Sequence, residues 1–439
     1  MRSHVKEGRV KQSLRVSFWD GVFYACMTGL VSDYLTPYAL ALKATPGDIG
    51  ILAAAPSLVA TLTQSKAPDL TERFKSRTTT INLFVFMQAL MLIPIMAIPY
   101  LFKANPVIAL IIFATLFTAF GGLANPPWAG LMAEYIPARK RGAYFGWRNK
   151  ITGIVTVAAS FVSGFILFRL THNIFVAFLT ILILAFICRL ISWGFLTRMY
   201  EPRFAPARED YFSIWDFIKR MRQTNFGKFV FFAASFNFCV QIAAPFFPVF
   251  MLKDLQFNYL TYTLLTITVT AAQIIAIDRW GMLADRTGNI KVLKVCSLLI
   301  AFNPLFWIIN RHPAYLIFAQ IAAGFSWAGF NICATNFIYD AVTPQKRVRC
   351  IAYFNVLVGL GIFLGALCGG LLATRMPILF GYRLLSLFLL ASIMRFAVIA
   401  IMAPRIHEVR RAAEPMRKRD LFYSVIGIKP LTEGQSLKE

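Results

Sequence analysis

A chain of 439 residues that is 58% apolar and 15% charged, with a mean hydropathy of +0.63, has too few charges to cover a soluble core of its size. Its net charge of +25 would suit a nucleic-acid binder, but Lys and Arg lie between long apolar runs rather than on one face or tail, which excludes that partner. Seven cysteines sit mostly inside apolar runs without metal or disulfide spacing, and the four histidines fall in tails or loops, so no cofactor, metal site or enzymatic cluster is expected.

Residues 1–16 form a basic segment with Arg2, Lys6, Arg9, Lys11 and Arg15. The apolar run from Phe18 is too long for a secretory signal and lacks a small-residue cleavage site, so it reads as the first membrane span. About 20 apolar residues cross a hydrocarbon core. Twelve runs meet that criterion, at 17–42, 48–65, 79–102, 106–133, 144–168, 173–197, 226–251, 258–277, 291–310, 314–339, 350–373 and 380–402. Short alternating strands are absent, so the spans are helices. The longest connection, 198–225, is charged and carries Pro202 and Pro206. It divides a first six-helix half, 17–197, from a second, 226–403, and 404–439 forms a tail. The predicted fold is an all-α integral membrane protein with twelve transmembrane helices in two pseudo-symmetric halves.

Orientation follows from counting basic residues. The two tails and the even-numbered connections, together with the span ends beside them, hold 36 of the 45 Lys and Arg. The odd-numbered connections hold seven: Lys43, Lys103, Arg169, Lys253, Arg311, Arg375 and Arg383. The split places both termini in the cytoplasm of a cell bounded by its inner, plasma membrane.

Two stretches repeat each other about half a chain apart. Glu134 to Asn149, EYIPARKRGAYFGWRN, is echoed by Asp340 to Asn355, DAVTPQKRVRCIAYFN, with every matched residue 206 to 209 positions later. Each is a basic hinge between two apolar helices, used once per half. The repeat extends into the spans. Ser57, Thr61 and Gln64 in the second span share one helical face, as do Thr266, Thr270 and Gln273 in the eighth, each 209 residues later. Asp33 and Pro37 in the first span answer to Gln241 and Pro245 in the seventh. The prolines break these helices and free a carbonyl beside the polar residue. Further polar faces carry Asn125 and Trp128 in the fourth span, Asn149, Thr152, Thr156 and Ser160 in the fifth, and Trp327, Asn331 and Thr335 in the tenth; Asn355 opens the eleventh. Lipid does not satisfy such groups, so as a set they predict a shared cavity for a small-molecule substrate. Taken one at a time, helix packing is the better explanation of any of them. The small-residue ridge Gly361, Gly365 and Gly369 predicts close helix packing.

Between the eighth and ninth spans, GMLADRTGNIK resembles the cytoplasmic signature of the major facilitator superfamily: Gly281, Asp285, Arg286 and Gly288 match, whereas Asn289 and Ile290 replace its basic pair. The copy between the second and third spans is degraded to Glu72-Arg73. With twelve spans and a repeated basic hinge, the resemblance covers nearly the whole chain. It implies a transporter that rocks its halves about a central site. It also implies a cytoplasmic gate in which Glu134 and Asp340 meet Arg73, Arg141, Arg148, Arg286 or Arg347. The fourth span lacks the Arg that drug–proton antiporters of this fold carry, and YEPR and MAPR only faintly resemble sugar-porter motifs, so no substrate is assigned.

Asp33 is the one acid deep inside a span, about four turns from Phe18, and a carboxylate taken out of water favours its neutral form. It is the expected carrier of a coupling proton. Binding a cationic substrate or pairing with Lys43 are the alternatives. Arg189 and Arg395, also inside spans, are expected to hydrogen-bond helix ends or carbonyls of their own half. The expectation is a monomeric, proton-coupled transporter in the lipid bilayer, with an uncoupled facilitator and a non-transporting receptor as the competing readings.

Overall fold

The structure, a computed structural model, describes residues 2–136, 138–201, 217–219, 221 and 223–409, with side chains described except at 2–7, 138–143, 344–345 and 347–349. Most of the expected linker 198–225 and of the tail 404–439 therefore lies outside the described residues.

The described chain is helical, apart from loops and one isolated bridge between Leu379 and Tyr382. The first set of helices comprises α1 (Arg2–Val31), α2 (Leu35–Ala41), α3 (Pro46–Gln64), α4 (Ala67–Phe74), α5 (Arg77–Leu90), α6 (Leu92–Leu101), α7 (Pro106–Tyr135), α8 (Ala138–Arg169) and α9 (Ile174–Leu196). The second comprises α10 (Asn225–Ala243), α11 (Phe246–Val249), a π-helical turn at Phe250–Asp254, α12 (Tyr259–Thr287), α13 (Asn289–Ile309), α14 (Pro313–Ala341), α15 (Pro344–Ala373) and α16 (Arg383–Met402). Among the described residues eleven helices are long and apolar enough to cross a membrane, with α5 continuing into α6 and α10 running on to Asp254. The first span of the sequence reading is divided instead. Basic residues occupy the start of α1, and the helix breaks at Val31 before resuming at Leu35, so neither piece holds a full apolar window.

Local chemistry sets the ends. Thr45 and Asp48 form a reciprocal capping box ahead of α3, whose first residue is Pro46. Ser76, Thr224 and Asn258 each accept a backbone N–H at the start of α5, α10 and α12. Between α12 and α13, Gly288 adopts φ 95°, a left-handed conformation that glycine takes without steric cost. The ridge of Gly361, Gly365 and Gly369 lays α15 on α10, so that an added Cβ would strike the carbonyls of Ala234, Phe238 and Ile242 in turn. Close packing is the reason for those glycines.

Within the first set α1 packs on α8 and α9, and α7 on α3 and α5; within the second α12 packs on α14, and α13 on α14 and α16. Three pairs join the sets, α3 with α15, α8 with α12 and, over a smaller area, α2 with α11. The apolar core shows how the sets meet. Toward the odd-numbered connections one continuous core takes Leu30, Tyr38 and Leu110 from the first set and Phe246, Trp307 and Phe388 from the second. Toward the even-numbered connections the core splits: Val85, Leu131 and Tyr135 belong to one cluster, Phe229, Trp280 and Phe337 to another. The two sets are thus fused at the odd-loop face and separate at the even-loop face.

Candidate functional site

Pro37 fixes the geometry around Asp33. A proline has no N–H, so the carbonyl four residues earlier, that of Asp33, loses its helical donor. The backbone tightens into a single 3₁₀ turn at Ser32–Tyr34. The orphaned carbonyl accepts the hydroxyl of Tyr262, from α12, at 2.5 Å. The Asp33 carboxylate, half-buried, accepts Ser160 Oγ of α8 at 3.3 Å. Next to it the Tyr34 hydroxyl donates to the Ser160 carbonyl at 2.5 Å and lies 2.7 Å from Thr263 Oγ1 of α12. Gly164 makes room for this approach, because a Cβ there would collide with the Thr263 side chain. Asp33 therefore stands where α1, α8 and α12 converge, at the seam of the two sets. It forms no salt bridge with Lys43 among the described residues.

The polar stripes take several positions. Thr61 bonds its own helix at the Ser57 carbonyl, 2.7 Å away, and abuts Gly359 of α15 across the seam. Thr266 bonds the Tyr262 carbonyl at 2.9 Å; Gln64, Thr270, Gln273 and Asn355 are half-buried, and their side chains form no hydrogen bond among the described residues. Gln241 lies beside Gly365. Thr156 reaches the carbonyls of Thr152 and Ala25, at 3.0 and 3.4 Å. Asn125, Asn149 and Asn331 are exposed, and Trp327 meets Phe330 edge-on at 5.5 Å. The Arg148 guanidinium stands 4.7 Å from the Trp128 ring centroid, a cation–π contact. Several hydroxyls of the stripes thus bond their own helix backbone, as the packing explanation requires.

The gate pairings differ from those inferred. Glu134 binds Arg77 at 2.5 Å, not Arg73, Arg148 or Arg286. Arg77 opens α5, whose start lies beside the end of α7 because the two helices pack antiparallel, and that adjacency decides the partner. Asp340 accepts Asn289 Nδ2 at 2.9 Å, so the residue that departs from the signature's basic pair holds the acid. Glu72, Arg73, Asp285 and Arg286 are exposed, and the side chains of Arg141 and Arg347 lie outside the described residues.

Three acids carry structure that the sequence reading passed over. Glu201 caps α5, accepting the Arg77 N–H at 2.5 Å and the hydroxyls of Ser76 and Thr78, each at 2.6 Å. Burial alone pushes the Glu201 carboxyl up, but these hydrogen bonds together outweigh it and hold the group below its ordinary range. Glu408 does the same for α13, accepting the Ile290 N–H at 2.7 Å. The two glutamates are 207 residues apart, the period of the other repeats, and that spacing was available as a signal. Asp20, two residues past the start of the first apolar run, is buried. It accepts Ser192 Oγ at 2.7 Å and has Arg148 at 3.8 Å. Arg189 donates to the same Ser192 at 2.9 Å and to Gln88 Oε1 at 2.5 Å, and stands 4.8 Å from the Tyr24 ring centroid. Its partners are side chains, not the expected carbonyls. Arg395 does bond carbonyls of its own set, Ile300 at 3.0 Å and Val240 at 3.2 Å.

Two helix sets fused at one face, with polar groups along the seam, define an all-helical, multi-pass membrane protein. The chain belongs to the Major Facilitator Superfamily, whose sequence model matches residues 21–279 and 229–433. It is similar to Multidrug resistance protein 2 of Bacillus subtilis (strain 168), 25% identical over 144 residues, which are 32% of this chain and 36% of that protein. Quinolone resistance protein NorA of Staphylococcus aureus (strain N315) is 24% identical over 163 residues, 36% of this chain and 41% of that protein. The alignments thus span less than half the length of these relatives. A D-xylose-proton symporter structure superposes with a TM-score of 0.71 over 93% of this chain and 100% of that one, at 10% identity. The nucleoside transporter NupG gives a TM-score of 0.67 over 89% of this chain and 98% of that one, at 15% identity. At such identities the likeness is one of fold.

Proposed function

We propose that this protein is a proton-coupled secondary transporter of a small organic solute, working by alternating access as a monomer in the plasma membrane. In this reading the odd-loop face is the outer one and both termini are cytoplasmic, as the distribution of Lys and Arg supports. Residues 17–197 and 226–403 then act as the two rocking bodies, and the state described here is inward-facing.

The observation that carries the reading is the position of Asp33 at the closed seam. Its carbonyl receives the Tyr262 hydroxyl from the opposite set, while among the described residues its carboxylate has only Ser160 as a hydrogen-bond partner. Enclosing a carboxylate with one weak partner is costly in its charged form and much cheaper in its neutral one. Proton uptake at Asp33 therefore favours outer closure, and proton loss to the cytoplasmic side favours reopening. The solute cavity would lie below the closure, between Ser57, Thr61 and Gln64 on one side and Gln241, Thr266, Thr270 and Gln273 on the other. Asn125, Trp128, Asn149, Thr156, Trp327, Asn331 and Asn355 line the approach, with the Glu134–Arg77 and Asp340–Asn289 pairs at its rim. The proteins it resembles, a multidrug and a quinolone resistance protein in sequence and a nucleoside transporter and a D-xylose-proton symporter in fold, support small organic solutes as the class.

The test is a thermal-shift screen with quinolones, nucleosides and pentoses, followed by uptake of the stabilising compound into proteoliposomes. Asp33→Asn is expected to abolish accumulation driven by a pH gradient while leaving solute exchange intact. Gradient-driven accumulation that survives in the mutant overturns the assignment of Asp33, and a wild type indifferent to the gradient makes the protein an uncoupled facilitator.

A further inference from the structure

At the odd-loop face, where the two sets are fused, lies a pocket of about 430 Å³ that nothing above uses. Its walls come from both sets: Leu40, Ala41 and Lys43 from the end of the first span, and Leu252, Lys253, Gln256 and Tyr259 from the turn between α11 and α12. Only seven of the 45 basic residues belong to the connections of this face, and two of them line this one pocket. Of the other five, Arg169 and Arg311 stand over the rings of Phe165 and Tyr382, and Arg383 donates to the Thr374 carbonyl. Lys43 and Lys253 are exposed, and neither forms a salt bridge among the described residues. Of the nearby acids, Asp48 is engaged in the Thr45 capping box, and Asp254, the chain neighbour of Lys253, feels its charge but forms no salt bridge with it among the described residues.

The backbone is irregular at three of these positions. Lys43 has φ 66° and Gln256 φ 53°, two of the four non-glycine residues with positive φ among those described. A lysine or glutamine in that region costs about 1 kcal/mol or more, and such strain persists where the surroundings over-determine it. Lys253 lies on the π-helical turn Phe250–Asp254, and its carbonyl is held by Gln256 Nε2 at 2.5 Å. π-turns inside α-helices are uncommon and concentrate at functional sites. Two lysines, one from each set, thus line a single partly apolar pocket. Bringing like charges together opposes closure of this face unless something negative lies between them.

We propose that this pocket binds an oxyanion, a phosphate or carboxylate group, which bridges Lys43 and Lys253 and holds the odd-loop face closed. Leu40, Leu252 and Tyr259 supply an apolar wall for whatever the oxyanion is attached to. The site exists only in the closed arrangement, because its two cations belong to different sets, so occupancy biases the transport cycle toward that state. This last step rests on the alternating-access reading above.

The experiment measures the distance across this face by spin labels at Leu101→Cys and Ile378→Cys, exposed residues of opposite sets, with the half-buried Cys26, Cys188 and Cys368 replaced by Ala. Inorganic phosphate in detergent tests a free anion, and nanodiscs of phosphatidylglycerol against phosphatidylcholine test a lipid headgroup. Chloride at equal ionic strength controls for screening. Either phosphate or phosphatidylglycerol is expected to raise the closed-to-open ratio about tenfold, the sum of two modest charge contacts, and that response is expected to disappear in both Lys43→Gln and Lys253→Gln. The double variant is expected to close more than the wild type when no anion is present, because the repulsion is gone. A ratio unchanged by both anions, an equal response to chloride, or a response that survives in the double variant each overturns the site. A distance that never changes under any condition, in wild type or variants, instead overturns alternating access itself, so the two failures are distinguishable.

Discussion

The hydroxyl of Tyr262 lies 2.5 Å from the backbone carbonyl of Asp33, which has no helical donor because Pro37 follows four residues later. A helix break in one set is thereby completed by a side chain of the other. Tyr34 returns the gesture, placing its hydroxyl 2.7 Å from Thr263 Oγ1. Each contact joins the candidate proton carrier's turn to the moving partner. A neutral hydrogen bond nets about 1 kcal/mol, so Tyr262→Phe is expected to shift the closed-to-open ratio at the odd-loop face about fivefold toward open. Spin-label distances across that face read this directly, and an unchanged distribution would show that Tyr262 is not a latch.

Asp20, Arg148 and Arg189 form a buried charge cluster within the first set. Removing one member of such a cluster leaves an uncompensated charge and costs roughly 3–5 kcal/mol. Arg189→Ala is expected to lower the midpoint of thermal unfolding sharply, and Asp20→Asn with Arg189→Gln to cost less than the sum of the single changes. Additive losses in a double-mutant cycle would mean that the two residues do not share one network.

Glu201 provides a pH test outside the membrane spans. Its carboxyl is held below the ordinary range by the hydrogen bonds at the start of α5. A depressed folded-state pKa contributes stability that is fully present above the unfolded value, about 4.3 for glutamate, and is lost as pH falls through the folded value. Glu201→Ala is therefore expected to be less stable than the wild type at pH 7, by about 1 kcal/mol as for other lost caps, with the gap narrowing below pH ~4. Differential scanning fluorimetry across that range checks it. A gap that stays constant with pH would remove the charged carboxylate from the explanation.

The glycine ridge of α15 separates packing from composition. Gly365→Val would drive a side chain into the Phe238 carbonyl of α10, and a loss of 3 kcal/mol or more, or failure to accumulate folded protein, is expected. Gly194, on α9, has nothing within 4 Å of an added Cβ, so Gly194→Ala is expected to be neutral to slightly stabilising. Equal effects at the two positions, measured by size-exclusion yield and unfolding midpoint, would contradict the close approach of α15 to α10.

The sequence by itself determined what depends on local pattern. Membrane spans are legible because about 20 consecutive residues must satisfy the same solvent, and the repeat is legible because matched residues keep one offset. The ridge Gly361, Gly365 and Gly369 and the carbonyl-bonded Arg395 followed from the same local reasoning, and Pro37 announced a free carbonyl. What that carbonyl binds was not local: Tyr262 is 229 residues away in the chain. The same limit explains Glu134, whose partner Arg77 depends on the antiparallel packing of α5 and α7 rather than on signature spacing. Asp20 lies only two residues past Phe18, and its burial was not legible from α1 alone, because α8 and α9 cover it in space. Which face is closed was decided by tertiary structure alone, because local pattern shows which residues lie toward each face but not which side chains pack across the seam, and that packing fuses the core at the odd-loop face and parts it at the other.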